Sequence, residues 1–422
     1  MRFQNVKGTK DFTPKEAAIF QKLIDIIRKN FERYGFTPLI TPGVESFELL
    51  SAKGGLGEAV KDEIYYFKDK AGREIGLRFD LTMPLARFVV SNPNIPLPFK
   101  RYQIDRVWRY DNPQSMRYRE FWQADIDIIG TNSVEADIEC LSSVNDIFEE
   151  IGIKNFVFRI NDRVVVEQVL EKSYPKNSIP QILRIIDKLD KIGMEGVKNE
   201  IKKTGMATKH VEELLSIKGN NDQKLKEIED RYGVSCEKLR QILSRAKSLG
   251  YANKVEIDFS VVRGLEYYTG LVFEIGIRDG NTKVSFGGGG RYDKLIKILG
   301  AQDVPATGIS LGLSRLFVYV LEKGLLKAEA PAKVFVATVK DDMKKEAEKI
   351  VKALRGAGIN VDWNIAGKKL SKQFEYANAL DIPYVVIIGE QEKNVNKLKL
   401  RDMKTGKEEM VTLEVLMQKM KG

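Results

Sequence analysis

Arg109, Arg117 and Arg119 crowd around the polar stretch YDNPQSMRY, Arg263 opens the run RGLEYYTG, and Arg315 interrupts the otherwise apolar SLGLSRLFVYVL. Guanidinium keeps its charge and pairs bidentately with phosphate or carboxylate, so three arginines at one hairpin tip would make a strong anion site. Surface pairing with Asp105, Asp111 and Glu120 is the competing reading, and each such pair contributes little. Arg315 faces either water or an anionic ligand, and its position alone does not decide. Arg263 is followed by Gly264, an acid and the adjacent Tyr267 and Tyr268, between two segments that alternate like strands, 255–259 and 271–275. A hairpin interrupted by a cation, a flexible residue and two phenols suits a charged small molecule and the stabilisation of charge at phosphorus.

Other stretches supply polar groups. REFWQADIDIIG puts Phe121, Gln123, Asp125 and Asp127 on one face of a strand and Trp122, Ala124, Ile126 and Ile128 on the other. An amide and two carboxylates in mid-sheet are costly unless they bind something polar. For this strand alone, a solvent-facing position in an antiparallel sheet is the commoner reading. LRFDLTMP places Asp80 at a strand end, where it could hold an ammonium group, and Thr82 as a helix N-cap with Pro84 in the first turn. SFGGGGRYDKL sets four glycines, 287–290, between a strand and a helix. They read either as a close backbone approach to a ligand or as a tight turn, and neither a GK[ST] loop nor GxGxxG is present. A single histidine, His210, and two distant cysteines, Cys140 and Cys236, exclude a histidine-built zinc site and argue against a Ser-His-Asp triad. The chemistry is left to arginine, lysine, carboxylates, tyrosine and a hard metal ion.

The elements that must position these residues follow from periodicity. Thr13-Pro14 caps an amphipathic helix that stops near Gly35. A strand broken at Pro42, a hairpin turning at Ala71-Gly72, two strands around the arginine-bearing loop and a helix over 134–151 come next. A lysine-rich helical stretch over about 165–249 reads as an insert in an α+β domain spanning 1–325. Residues 331–422 read βαβαβ, a separate α/β domain with a mostly parallel sheet. That tail carries about +5 net charge, and the whole chain of 422 residues carries +10, which suits a polyanion or phosphate-bearing partner as well as a solvated lysine surface. No apolar run can span a bilayer, the start MRFQNVKGTKDF has no apolar leader and cysteine is scarce, so a cytoplasmic protein is expected.

Together these stretches resemble class II aminoacyl-tRNA synthetases, and within them the histidyl-tRNA synthetases. The first helix and strand up to Pro42 resemble motif 1, RVWRYDNPQSMRYREFWQADIDIIG motif 2 and ATGISLGLSRL motif 3, while RGLEYYTG and GGGGRYDKL are similar to the signatures of the histidine enzyme. LRFDLTMP is closer to the archaeal and eukaryotic form than to the bacterial one. The resemblance implies a class II catalytic domain with an antiparallel sheet and helical insert, a C-terminal α/β anticodon-binding domain and a homodimer. It implies that histidine is activated with ATP and Mg²⁺ and transferred to tRNA-His, a tRNA with an extra 5′ guanylate. By resemblance Arg109 grips the α-phosphate, Arg117 joins the ATP site and Arg315 holds the γ-phosphate end. Arg263 is then the catalytic arginine, and it also contacts histidine. Asp80, Thr82 and Gln123 hold the amino-acid backbone, and Asp127 with Tyr268, beside Tyr267, binds the ring. Gln114 and Arg117 meet the tRNA acceptor end, and the insert approaches the acceptor arm. The regulatory subunit of ATP phosphoribosyltransferase shares this core, but the three arginines Arg109, Arg263 and Arg315 and the tail favour the enzyme. An RNA-binding or stress-sensing module on the same fold is a third reading.

Overall fold

Thr13 and Glu16 close a capping box, each side chain reaching the other's backbone N–H, and start helix α1 (Pro14–Arg33). Its stripe of Ile19, Phe20, Leu23, Ile27 and Phe31 is buried. The computed structural model describes residues 3–52, 63–110, 112, 116–263, 267–279, 282–300, 303–395 and 397–421. The chain divides into two units, Met1–Leu326 and Lys327–Gly422.

After α1 the first unit continues through β1 (Thr37–Pro38), β2 (Val44–Ser46), α2 (Phe47–Ser51), the hairpin β3 (Tyr66–Lys68) and β4 (Glu74–Leu77), and α3 (Thr82–Ser91). Two long strands, β5 (Phe99–Trp108) and β6 (Glu120–Ile129), lead to α4 (Val134–Ile151) and β7 (Phe156–Asp162). Helices α5 (Arg163–Glu171), α6 (Ile179–Ile186), α7 (Leu189–Lys203), α8 (Lys209–Leu215), α9 (Asn221–Tyr232) and α10 (Glu237–Ser248) follow without an intervening strand among the described residues. The chain then returns as β8 (Val255–Ile257), β9 (Leu271–Asp279), β10 (Thr282–Arg291), α11 (Leu295–Ile298), β11 (Ala306–Leu311) and α12 (Leu313–Glu322). One sheet collects eight of these strands in the order β1-β5-β6-β11-β10-β9-β7-β8. The interior pairs from β5 to β7 are antiparallel, and β1 and β8 add parallel edges.

The order corrects one expectation. Strands β8 and β9, on either side of Arg263, do not form a hairpin, because β7 lies between them and pairs with both. The partner that displaces the local pairing comes from more than ninety residues upstream.

In the second unit β12 (Val334–Thr338), α13 (Lys344–Gly356), β13 (Val361–Trp363), α14 (Leu370–Ala379) and β14 (Tyr384–Ile388) form a parallel core in the order β13-β12-β14. Beyond α15 (Glu390–Asn394), an antiparallel hairpin of β15 (Leu398–Asp402) and β16 (Glu408–Val411) extends that sheet, and α16 (Leu413–Lys421) packs Leu416 and Met420 into the core. This hairpin lies beyond the expected βαβαβ order, although Thr405-Gly406, with Gly406 at φ +73°, carries a turn signal.

Candidate active site

The alternation along β6 decides the floor of the site. Trp122, Ala124, Ile126 and Ile128 face α1, α4 and α12, with Phe20 against Trp122 at 5.5 Å between ring centroids. Gln123, Asp125 and Asp127 on the opposite face are also buried, at 7, 3 and 3 % exposure. The solvent-facing reading of this strand is therefore wrong. The polar face is roofed by side chains from the turn before α3 and from 267–292, segments too remote in sequence for a strand pattern to reveal.

Two joined cavities open on that floor, an outer one of about 240 Å³ and an inner one of about 80 Å³, and both touch Arg109, Gln123, Arg263, Gly288 and Ser310. Arg109, Arg117, Arg263 and Arg315 line the outer cavity, with no carboxylate among its described lining residues. Asp80, Asp125 and Asp127 line the inner one. Cations at one end and carboxylates at the other make a site for a ligand with the opposite polarity.

Two of these arginines are held from behind. Arg109 Nε donates to the Phe79 carbonyl at 3.0 Å, and its guanidinium lies 5.2 Å from the Phe121 ring centroid. Arg315 Nη1 donates to the Ser285 carbonyl at 2.6 Å. Burial first, and then the charge of Arg117, pull the Arg315 guanidinium below its ordinary value, with Arg109 adding to the pull and Glu274 opposing it. Arg119 does not join them. It stacks on Tyr110 at 4.2 Å and lies under Gly8, so the hairpin tip contributes two arginines to the anion site, not three.

Arg263 occupies the left-handed region, at φ +52°, which non-glycine residues adopt rarely. Its guanidinium crosses Gly288, where an added Cβ would stand 2.8 Å from Nη1. The glycine run is thus neither a turn nor a loop but the last part of β10, wedged between β9 and β11. Added Cβ atoms at Gly287 and Gly289 would lie 2.3 and 1.9 Å from the Ser310 and Gly308 carbonyl oxygens. The glycines let three strands approach closely and leave the floor open below Arg263.

In the inner cavity, Asp80 rather than Thr82 caps α3, its Oδ1 accepting the Met83 N–H at 3.0 Å. Thr82 lines the cavity instead. Tyr267 and Tyr268 stack at 4.5 Å, with the Tyr267 hydroxyl donating to that of Tyr268 at 3.4 Å. Burial pushes the Tyr267 and Tyr292 phenols up, so both stay protonated donors. Gln123 Nε2 donates to Ser310 Oγ at 2.5 Å. Gln123 Oε1 and Asp125 Oδ1 are buried without a hydrogen-bond partner among the described residues.

Burial pushes the Asp125 carboxyl up to about 7, with Arg101 opposing and Asp127 reinforcing. A carboxyl raised on folding lowers stability as pH rises. The penalty is absent below the ordinary carboxylate range and complete above about 7, where the ionised form costs the fold on the order of 4 kcal/mol. Asp125→Asn is therefore expected to melt above wild type at pH 8, with the gap closing toward pH 4. Melting curves at both pH values check this, and a gap that does not change with pH would exonerate Asp125.

Comparisons with known proteins agree with this geometry. The family model described as histidyl-tRNA synthetase matches residues 8–316, and that of the anticodon binding domain matches 333–422. A histidine–tRNA ligase of Aeropyrum pernix is 39% identical over 96% of this chain and 95% of its own length. One from Thermococcus kodakarensis is 36% identical over 98 and 97%. The crystal structure of the histidyl-tRNA synthetase from Nostoc sp. PCC 7120 superposes with a TM-score of 0.87 at 32% identity, covering 100% of this chain and 99% of that one. The chain belongs to the histidyl-tRNA synthetase family.

The architecture is that of a class II synthetase, an antiparallel catalytic sheet with a C-terminal α/β anticodon-binding domain. Of the residues singled out in the sequence, Arg109, Arg117, Arg263 and Arg315 meet at the outer cavity, and Asp80, Thr82, Gln123, Asp127, Tyr267 and Tyr268 meet with Arg109 and Arg263 at the inner one. Gln114 lies outside the described residues. Three contributors went unassigned. Tyr292, within GGGGRYDKL, donates to Asp127 Oδ1. Gly308 leaves room for Asp127, since a Cβ there would stand 2.0 Å from Oδ1. Arg101 sits opposite Asp127 across the β5–β6 ladder. Only register makes the last two meaningful, and register is not written in either strand alone.

Proposed function

We propose that the chain charges tRNA-His in two steps. A histidine carboxylate oxygen attacks the α-phosphorus of ATP, the bond to the leaving pyrophosphate breaks, and histidyl-adenylate forms. A hydroxyl of the terminal tRNA ribose then attacks the adenylate carbonyl, and AMP leaves. The polarity of the joined cavities carries this reading. Histidine lies with its ammonium and ring toward Asp80, Asp125 and Asp127 and its carboxylate toward Arg109 and Arg263, where the phosphates enter. Arg263 opposes charge growing at the α-phosphate. Asp127 as acceptor, with Tyr268, suits the imidazole nitrogens, and an apolar isostere of the ring would leave those groups unpaired.

Mg²⁺ fits as a hard ion bound mainly through phosphate oxygens. No cluster of three or more acidic, histidine or cysteine side chains able to hold a metal exists among the described residues. Glu274 on β9, whose charge acts on both Arg263 and Arg315, pairs with Arg159 at 3.1 Å and is not among the lining residues of either cavity, so the phosphates themselves would supply most of the ligands. The ion would offset phosphate charge.

The second unit would bind the anticodon stem, with Arg117 of the first unit near the acceptor end. A homodimer is supported by the resemblance to motif 1 and by the exposed Phe3, Val6 and Ile40 around α1 and β1. No described helix is long and apolar enough to cross a membrane.

ATP–pyrophosphate exchange with each standard amino acid, in Mg²⁺ and without tRNA, tests the reading. Exchange with histidine alone is expected. Exchange with a different amino acid overturns the ring pocket, and folded protein that binds histidine without exchange favours a regulatory relative. One such relative, an ATP phosphoribosyltransferase regulatory subunit/histidyl-tRNA synthetase from Bacillus halodurans, shares the fold at 21% identity and a TM-score of 0.75.

A further inference from the structure

The largest side chain with no solvent exposure in the first unit's core is a cation. Arg101, on β5, is 0% exposed and sits directly opposite Asp127 in the β5–β6 register. Its Nη2 lies 2.6 Å from Asp127 Oδ2 and donates to the Leu81 carbonyl at 3.3 Å. Leu81 separates Asp80 from Thr82, so one guanidinium joins the strand that floors the inner cavity to the turn that walls it. Tyr292 donates to the other oxygen of Asp127, and Gly308 packs against that oxygen on the far side. Arg101 does not itself line the cavity.

This placement answers an electrostatic problem. The groups around Asp127 are Arg101 from β5, Asp125 from its own strand, Asp80 from the turn before α3, Tyr292 after β10, and Tyr267 and Tyr268 from the segment after Arg263. Three carboxylates face one small cavity. Burial pushes the Asp127 carboxyl up, Arg101 and Tyr292 pull it back, and Asp80 adds to the rise. A protonated Asp127 would offer a hydrogen where a ring N–H needs an acceptor.

We propose that Arg101 is the positioning residue of the ring subsite, holding Asp127 as an oriented acceptor for the imidazole N–H and locking it to the Asp80–Thr82 wall. The proposal rests on the reading of the inner cavity as a histidine pocket. Breaking a buried pair by removing one partner leaves the other uncompensated. A lysine keeps the charge but not the rigid planar guanidinium that sets Nη2 between Asp127 and the Leu81 carbonyl.

Histidine-dependent ATP–pyrophosphate exchange of wild type, Arg101→Met and Arg101→Lys between pH 6 and 9 tests it, with titration of the free imidazole common to all three. Arg101→Met is expected to raise the KM for histidine on the order of 100-fold at pH 7, to leave kcat and the KM for ATP within a few-fold, and to recover as pH rises and Asp127 ionises. Arg101→Lys should raise the KM on the order of 10-fold with a smaller pH dependence. If Arg101→Met does not fold, Arg101→Lys decides, with a raised histidine KM at preserved kcat supporting the proposal. An unchanged KM in Arg101→Lys, or a loss in Arg101→Met that is equal at every pH, overturns it. Wild-type exchange with an amino acid other than histidine would overturn the pocket reading as well. Normal histidine exchange in wild type beside either negative result sinks the Arg101 proposal alone.

Discussion

Arg263→Ala is expected to slow histidyl-adenylate formation at least about 100-fold, the scale of losing one preorganised donor to a developing oxyanion. Arg263 lines both cavities, so on the proposed reading the bond made at phosphorus and the pyrophosphate bond broken would both fall within its field. Its left-handed backbone and its passage over Gly288 fix the guanidinium before any ligand arrives. Such preorganisation acts on the transition state more than on either bound substrate, so kcat and kcat/KM for histidine should fall together. Arg263→Lys should recover only part of the rate, because ammonium cannot reproduce the fork. Single-turnover adenylate formation at saturating ATP and histidine provides the measurement. Near-wild-type turnover in the alanine variant would move the catalytic charge to another residue.

Gly289→Ala should damage the fold more than any other single methyl group proposed for the sheet. Its Cβ would stand 1.9 Å from the Gly308 carbonyl oxygen, and the atom it meets is backbone held in the β10–β11 ladder. Two strands must part, or the ladder must slip, and either places this change among the exceptional substitutions costing more than about 4 kcal/mol. The expected result is a melting temperature lowered on the order of 10 °C, or no soluble protein. Gly43→Ala is the control, since its Cβ would meet only the Trp108 ring at an ordinary 3.6 Å. Equal melting temperatures for the two variants would mean that β10 can relax where the structure shows no room.

Local chemistry made much of this molecule legible. The cap at Thr13-Pro14 and the helix over 134–151 are set by neighbours in the sequence, and both stand where the sequence puts them. What failed to show was decided by distant partners. Strand β6 looked half-solvated because its roof comes from 267–292. The glycines of 287–290 looked like a turn because nothing nearby announces strands pressing from both sides. Thr82 is the one local miss: it looked like a cap because a threonine before an apolar run usually is one, yet Asp80 reaches the same helix end from two residues earlier. The site arginines were visible by type, and only geometry removed Arg119 from them and revealed Arg101.

The parallel pairing of β7 with β8 has a topological consequence. A parallel crossover needs about a dozen residues, enough for one helix, and here the chain between Asp162 and Val255 carries six. The sheet requires the return of the chain, not the length of the journey. The detour also seals the open edge of the sheet, because Asn221 at the start of α9 donates to the Val255 carbonyl and accepts the Ile257 N–H, both at 2.8 Å.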